Sequence, residues 1–386
     1  MEQVIKVRLY PTTEQADFLN RQFGCVRLIY NKALGIINHQ YRVHGRSLSA
    51  KHDVKKLLPV AKRNHRYSFL KECDSLSLQQ SCNNLDKAFK RFFDRKSGYP
   101  KFKKKRSRQS SYHINVTVDQ TEDRKRGYIR IPKLSTPIKA VLHRKIPKGR
   151  IKSVTLSKAP SGKYYASMLF SVERVLPAPS QSINESGIVG IDMGLKDLLI
   201  TSKQKKVANP RFYIKAMKQL RHQQKALSRC IKGSRGYEVA RLKVARSHEK
   251  VRRTREDLQH KLSRQLINEN QVIVVETLKV SNMLRNKRLA KHISDAGWSG
   301  FITMLYYKAK LYGKRLIKID QWFPSSKTCS CCGYKRKTLP LQVRFWTCPD
   351  CRTSHDRDIN ASVNIKQQGI IMLKAEGLSV TANGVQ

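Results

Sequence analysis

The chain has 386 residues, of which 79 are Lys or Arg and 27 are Asp or Glu, a formal net charge of +52. That balance excludes an ordinary neutral enzyme of small-molecule chemistry, since a globule so positive repels itself until a polyanion offsets the charge. A hydrophobic content of 39 % excludes a purely disordered basic tail, and the length suggests two or three domains.

In chain order, Ile5, Val7 and Leu9 alternate with Lys6 and Arg8, which predicts a strand. Pro11 ends it, and Thr12 or Thr13 caps a helix. This start lacks the apolar stretch of a signal peptide, and no apolar run approaches the roughly 20 residues that span a bilayer. The expected location is therefore the cytoplasm, with the nucleoid when DNA is bound. A helical pattern continues to about Arg95. Leu85, Ala88, Phe89 and Phe92 have the spacing of a buried stripe, so these aromatics are read as core before base-stackers. Gly98, Pro100 and the basic run Lys101–Arg108 break the helix. Ile129 and Ile131 around Arg130, then Val154–Ser157 and Lys163–Val172, predict strands, the last two joined by a hairpin at Ala159–Gly162. Pro177–Ser182 reads as a linker.

Beyond it, Gly187–Thr201 predicts two strands around a turn at Gly194. Two long basic helices are expected between 211 and 268, turned at Gly233–Gly236. Val244, Val251, Leu258, Leu262 and Leu266 fit one apolar seam on the second. Val272–Val275 is a continuous apolar run, as in a strand covered on both faces. A helix from about Trp298 to Gly313 and a strand at Leu316–Ile319 complete the alternation of an α/β domain with a mixed sheet. The sequence after 367 shows little pattern, and 371–386 is read as a mobile tail.

The basic segments do not pair with a greasy face, so a membrane is a poorer partner than nucleic acid, whose phosphates form dense anionic tracks. Cys329 and Cys332 form one C-x2-C pair, and Cys348 and Cys351 form another fifteen residues on. Two such knuckles supply the four soft donors of a structural zinc ion. A disulfide is the poorer reading in a reducing compartment. Cys331 blurs the register, because Cys329 and Cys331 are also a pair. The C-x2-C register is preferred because the opposite pair has it. Four thiolates close the shell, so catalysis is sought elsewhere.

In a chain poor in acids, a carboxylate ending an apolar strand stands out. Asp192 ends Ile188–Ile191 and Glu276 ends Val272–Val275, while Asp358 follows the cysteine segment in His355–Ala361. Brought together, three carboxylates repel unless divalent cations sit between them. Magnesium takes oxygen ligands, and two ions can activate water and stabilise the leaving oxygen of a phosphodiester. In an extended segment Asp356 faces the same way as Asp358, so parity does not choose between them.

The chain resembles the TnpB family of OrfB-type insertion-sequence proteins, long labelled transposases and similar to compact type V CRISPR effectors. The resemblance spans nearly the whole chain. It rests on Val7–Pro11, Gly98–Lys103, Gly190–Gly194, Val275-Glu276, Ser294–Trp298, Pro324–Cys329 and Asp356–Ala361. It implies a multidomain α/β protein. Its nuclease domain is RuvC-like, of RNase H type, at 180–328 and 354–370, with a zinc ribbon inserted at 329–353. An N-terminal oligonucleotide-binding β-barrel, the wedge, is implied at 1–12 and 96–179, interrupted by a helical recognition insert at 13–95. The implied catalytic and magnesium-binding acids are Asp192, Glu276 and Asp358, the last chosen over Asp356 because it aligns with the aspartate of Asp-x-Asn-Ala. One structural zinc ion on Cys329, Cys332, Cys348 and Cys351 and two catalytic magnesium ions follow.

The implied activity is RNA-guided cleavage of double-stranded DNA beside a short target-adjacent motif, with a guide RNA from the element's end as partner. A monomer is expected. Lys101, Lys103, Lys104, Lys105 and Arg106 would grip nucleic-acid backbones. Gln79 and Thr117 match positions that read the motif. Ala50 and Ser75 depart from the larger or charged side chains found there, which implies a different motif. The alternatives are a strand-transfer transposase and a catalytically silent RNA-guided DNA-binding repressor.

Overall fold

A computed structural model describes residues 1–105, 110–114, 117–120, 126–143, 145–147, 149–173, 175–340 and 342–382. The chain divides into two units, Met1–Arg174 and Val175–Gln386, a boundary just ahead of the predicted linker.

In the first unit β1 (Glu2–Tyr10) leads into α1 (Thr13–His44). Thr12 caps α1 in a reciprocal box: Gln15 N donates to Thr12 Oγ1 at 3.3 Å, and Thr12 N donates to Gln15 Oε1 at 3.0 Å. Such a cap is worth about 1 kcal/mol. The helix ends where Gly45 takes a left-handed φ of 62°. Short helical turns and α2 (Leu58–Arg63) follow, then α3 (Ser75–Phe93). Next come β2 (Ser110–Ile114), β3 (Thr117–Gln120), β4 (Arg126–Arg130), β5 (Ile138–Val141), β6 (Arg150–Lys158) and β7 (Tyr164–Ser171). The seven strands pair antiparallel in the order β2-β6-β7-β1-β5-β4-β3. The predicted hairpin joins β6 and β7. Ile5, Val7 and Leu9 of β1 share one core with Phe18, Leu19 and Phe23 of α1 and with Leu78 and Cys82 of α3.

The stripe expected at Leu85–Phe92 is buried only at Leu85. Phe89 and Phe92 are half-buried and Phe93 is exposed. The rings pack on one another and on Tyr99, with centroids 5.2–6.3 Å apart, so contact among themselves replaces a deeper core.

The second unit begins with β8 (Ser182–Asn184), β9 (Ile188–Asp192), β10 (Asp197–Thr201) and β11 (Lys206–Ala208). The two basic helices are α4 (Phe212–Ser228) and α5 (Arg235–Glu269). After them come β12 (Val272–Glu276), α6 (Val280–Met283), α7 (Ala290–Ala296), α8 (Trp298–Leu311) and β13 (Arg315–Ile319). Last are β14 (Phe345–Thr347), β15 (Ser354–Asp356), α9 (Arg357–Ala375) and β16 (Ser379–Thr381). The main sheet has the order β11-β10-β9-β12-β13, with β12 parallel to both β9 and β13 and the β9–β10–β11 pairs antiparallel.

Both faces of this sheet are covered. Val189, Ile191, Ile273 and Val275 meet Leu266 and Ile267 of α5 and Phe301 and Leu305 of α8. On the other face Ile188, Val272, Val274 and Ile319 meet Ile365, Ile370 and Leu373 of α9. Burying one such side chain contributes about 1.5–3 kcal/mol, so the continuous apolar reading of β12 has its cause in this double cover.

The seam predicted on the second basic helix is half-buried at Val244, Val251, Leu258 and Leu262 and buried at Leu266, with Leu258 and Leu262 packed on the core, and the polar Glu249, Gln259 and Ser263 are buried beside it. They are tolerated because each has a partner. Gln259 Nε2 donates to the carbonyls of Ala296 and Gly297 at 2.9 and 3.2 Å, Ser263 Oγ accepts from Lys308 Nζ at 2.7 Å, and Glu249 pairs with Arg253 at 2.7 Å. The stretch read as a patternless, mobile tail is structured through its described part. Residues 367–375 complete α9, and β16 pairs in parallel with β8.

The reason lies in glycine. Gly369 looks like a helix breaker, but a Cβ there would lie 2.4 Å from Val274 Cγ2, so its bareness lets α9 settle on β12. Gly190 does the same from the sheet side. A Cβ would stand 2.2 Å from the Ser362 carbonyl oxygen and 2.5 Å from Lys366 N. Gly190→Ala is expected to lower the stability of this unit by about 1–3 kcal/mol, because it pushes backbone against backbone. Urea unfolding followed by tryptophan fluorescence measures it, and an unchanged midpoint would contradict the packing described.

Candidate active site and cysteine cluster

Strand geometry aims the first two acids. Side chains alternate along a strand, so Asp192 shares a face with Ile188 and Gly190, and Glu276 shares one with Val272 and Val274. That is the face covered by α9. The parallel register sets Val275 beside Ile191, so Glu276 and Asp192 end neighbouring strands at the same level, about 4.8 Å apart in backbone spacing. Asp358 arrives from α9, one turn before the Ser362 that rests on Gly190.

The electrostatics report the convergence. Burial first, then the negative charges of Glu276 and Asp358, push the Asp192 carboxyl up to about 7. Burial also raises Glu276, against the Ser325 hydroxyl, which donates to Glu276 Oε1 at 2.5 Å. Asp358 is held by one guanidinium, Arg344 Nη1 donating to Oδ1 at 3.2 Å and Oδ2 at 3.0 Å.

Asp356 does a different job. It caps α9, its Oδ1 accepting from the amides of Asp358 and Ile359 at 3.0 and 3.1 Å, and its Oδ2 pairs with Lys206 at 2.6 Å. Burial would raise its carboxyl, but Lys206 and those amides overcome it and hold it below the ordinary value. The structure thus separates two aspartates that parity leaves equivalent.

Buried amides tie the third acid to the second. Asn364 Nδ2 donates to the carbonyl of Ser325, the residue on Glu276, at 2.7 Å. Asn360 Nδ2 donates to Thr328 O at 2.7 Å and its Oδ1 accepts from Ser330 N at 2.9 Å. Sequence reasoning missed Arg344, Ser325 and Asn364. Ser325 lies inside the quoted Pro324–Cys329 motif, whereas Arg344 carries no mark beyond its place before the second knuckle.

The sulfur atoms of Cys329, Cys332, Cys348 and Cys351 all lie within 4.8 Å of one another. The pairs Cys329–Cys351 and Cys332–Cys348 are each 3.6 Å apart. A Zn–S bond of about 2.3 Å in a tetrahedron gives sulfur spacings near this, so the residues fit a zinc ion. Cys331 is exposed and outside the cluster, which settles the register as C-x2-C. Buried His355 brings Nε2 to 3.0 Å from Cys329 Sγ and lies tilted against Trp346, with ring centroids 4.8 Å apart. Among the described residues the four cysteines form such a close group of potential metal ligands, and Asp192, Glu276 and Asp358 are not part of one.

The basic run Lys101, Lys103, Lys104 and Lys105 is exposed, and Arg106 lies outside the described residues. Lys103 Nζ sits 3.9 Å over the Tyr30 ring. Gln79 is exposed on α3. Thr117 opens the edge strand β3, opposite Arg130. Ala50 is buried beneath Tyr30, Leu34 and Leu85, and Ser75 accepts from Lys62 Nζ at 2.7 Å. No helix among the described residues is long and apolar enough to cross a membrane.

Three family profiles match the chain. One described as a probable transposase covers residues 170–287, one described as a Cas12f1-like TNB domain covers 298–365, and one described as a helix-turn-helix domain covers 1–46. The last falls on β1 and α1, here a strand and one uninterrupted helix. A Streptomyces pristinaespiralis protein named as an RNA-guided DNA endonuclease is 39 % identical over 372 residues, 96 % of this chain and 90 % of that one. A similarly named protein of Escherichia coli strain K12 is 29 % identical over 388 residues, 96 % of this chain and 93 % of that one. A Cas12f1 chain solved with single-guide RNA and target DNA shares the fold, with a TM-score of 0.58 at 14 % identity over 92 % of this chain and 83 % of that chain.

Two outcomes follow from this geometry. His355→Ala should weaken zinc binding about 10–100-fold, as loss of a hydrogen bond to a ligand does. Competition with a chromogenic chelator reads it, and an unaltered affinity would deny the histidine any part in the cluster. For Asp192, raised in the folded chain, the stabilising contribution is complete below pH about 4 and is lost as pH rises through about 7. In metal-free protein, Asp192→Asn should therefore gain roughly 1–2 kcal/mol over the parent at pH 8 and little at pH 4, allowing for solvent screening. Equal gains at both pH values in urea titrations would contradict it.

Proposed function

We propose that this chain, which belongs to the TnpB family of OrfB type, is an RNA-guided DNA endonuclease of a transposable element. It hydrolyses phosphodiesters at Asp192, Glu276 and Asp358. What supports the reading is one observation above others: two strand-end carboxylates and a helix-borne third lie close enough that, after burial, the charges of Glu276 and Asp358 help to raise the Asp192 carboxyl. In a chain of net charge +52, three neighbouring carboxylates of which Arg344 pairs one are a place for hard cations.

Two magnesium ions held there would supply an activated water and stabilise the leaving oxygen. The chain's own part is positional. Ser325 fixes one oxygen of Glu276. Arg344 holds Asp358 until a cation competes for it. Gly190 and the Asn360 and Asn364 amides fix the helix on which Asp358 stands. The zinc ion is structural, because four thiolates leave no open position.

In domain terms, the antiparallel sheet of the first unit is read as the wedge barrel, with 13–95 its recognition insert. The mixed sheet of the second unit is read as the RuvC-like, RNase H-type domain, with 329–353 its zinc ribbon. A guide RNA pairs with one strand of double-stranded target DNA, and exposed lysines such as Lys101, Lys104 and Lys105 meet phosphates. The enzyme works as a monomer in the cytoplasm, with Gln79 and Thr117 facing the target-adjacent motif.

The transposase description of one profile keeps a strand-transfer reading in play, and joined products, as against breaks alone, would favour it. The central test uses Asp192→Ala and Glu276→Ala with cognate RNA, target DNA and magnesium. Cutting should fall at least about a thousandfold, since loss of a metal ligand removes most of the metal's contribution. RNA binding should be unchanged. Full cutting by either variant would refute the assignment.

A further inference from the structure

Cys25 on α1, Cys73 just ahead of α3 and Cys82 within α3 all lie buried in the core of the first unit. Two of them are held side by side. Gln22, itself 2 % exposed, brackets Cys73: its Nε2 donates to the Glu72 carbonyl and its Oε1 accepts from the Asp74 amide, each at 3.4 Å. Cys25 is three residues further along α1, on the same helix face as Gln22. That sets its thiol against the bracketed residue, and the two side chains are hydrogen-bond partners. Cys82 is governed by burial, which pushes its thiol up to about 11.

The pair is reachable. A cavity of about 440 Å³ is lined by both cysteines together with Arg21, Arg27, Phe69 and Glu72. Electrostatics divide the roles. The Cys73 hydrogen bond first, then Arg21 and Arg27, hold the Cys25 thiol below its ordinary value, against burial and Glu72. That same hydrogen bond, burial and the Cys25 charge push Cys73 up. The thiolate is the nucleophile, so Cys25 attacks while Cys73 keeps its proton. In a reducing compartment, paired thiols of this kind serve redox sensing and not static cross-linking.

We propose that Cys25 and Cys73 are a redox-sensitive dithiol, which a small disulfide such as oxidised glutathione closes into a reversible clip between α1 and the approach to α3. The Cys25 thiolate attacks one glutathione sulfur, and the S–S bond breaks. The first glutathione leaves as a thiolate and takes up the proton that Cys25 gave to water. With the Cys25 charge gone, Cys73 ionises, attacks the Cys25 sulfur and expels the second glutathione, which receives the Cys73 proton. Two protein thiols are oxidised, and one glutathione disulfide is reduced to two thiols. The clip is independent of the nuclease reading.

The test uses the full chain loaded with zinc. It is exposed to oxidised glutathione under native conditions, quenched with an alkylating agent, digested and read by mass spectrometry. A peptide pair joined through Cys25 and Cys73 is expected, cleared by dithiothreitol, with Cys82 at least about tenfold less oxidised. Cys73→Ala should instead retain glutathione on Cys25, because the thiol that expels it is missing. The proposal is overturned by the lack of a joined pair in the parent, by Cys25 joined to any other cysteine, or by Cys82 as oxidised as Cys25. Unmodified Cys25 in the Cys73→Ala protein overturns it as well. The parent is read without any substitution, so the result holds even where the variant folds poorly.

Discussion

The second unit depends on one close approach: the backbone of α9 lies directly against β9 at Gly190, where no side chain fits. A covalent chain cannot bring residues 192, 276 and 358 together by local structure. Two of them reach the same level because β9 and β12 are parallel neighbours in register. The third must be delivered by a separate element whose height above the sheet is set to within a fraction of an ångström. Bare glycine sets that height on the sheet, and Gly369 repeats the device on the helix, opposite Val274. The carboxylates then come close enough for the charges of Glu276 and Asp358 to add to burial in raising Asp192, a cost that packing on both faces of the sheet can absorb.

The cysteine cluster belongs to the same construction. β15 has three residues, and its middle one, His355, reaches a cysteine sulfur, while its last, Asp356, caps the helix that carries Asp358. A zinc ion on the four cysteines would therefore stiffen the run into α9 at the place where backbone freedom would blur the acid's position. The asparagines at 360 and 364 bind the same helix to the loop leading into the first knuckle. The acidic pocket is over-determined: strand register, helix height, a cap and a ribbon all act on it.

Much of this was legible in the sequence, and what was legible shares a physical cause. The strands at 188–192 and 272–276 were readable because burial on both faces demands unbroken apolar runs, which makes a terminal carboxylate conspicuous. The cysteine register was readable because tetrahedral coordination constrains spacing. Other features had no local signature. Gly369 reads as a breaker until Val274 is known to lie against it. Gln259 and Ser263 read as surface until the carbonyls of Ala296 and Gly297 and the Lys308 ammonium are seen to meet them. Phe89 and Phe92 have core spacing, yet they pack mostly on neighbouring rings. Arg344 is one more arginine in a chain with 79 basic residues, and only its distance to Asp358 sets it apart. Residue parity leaves Asp356 and Asp358 equivalent, the resemblance favours Asp358, and the structure adds that Asp356 caps the helix.

The pairing of β16 with β8 has a topological consequence. Ser379–Thr381 lies alongside Ser182–Asn184 in parallel, so the second unit's entry and exit points are neighbours on one small ladder. A body whose ends meet in this way suits cyclic rearrangement of its chain order, or splicing into a foreign host protein, since a short bridge closes the gap without bending the interior.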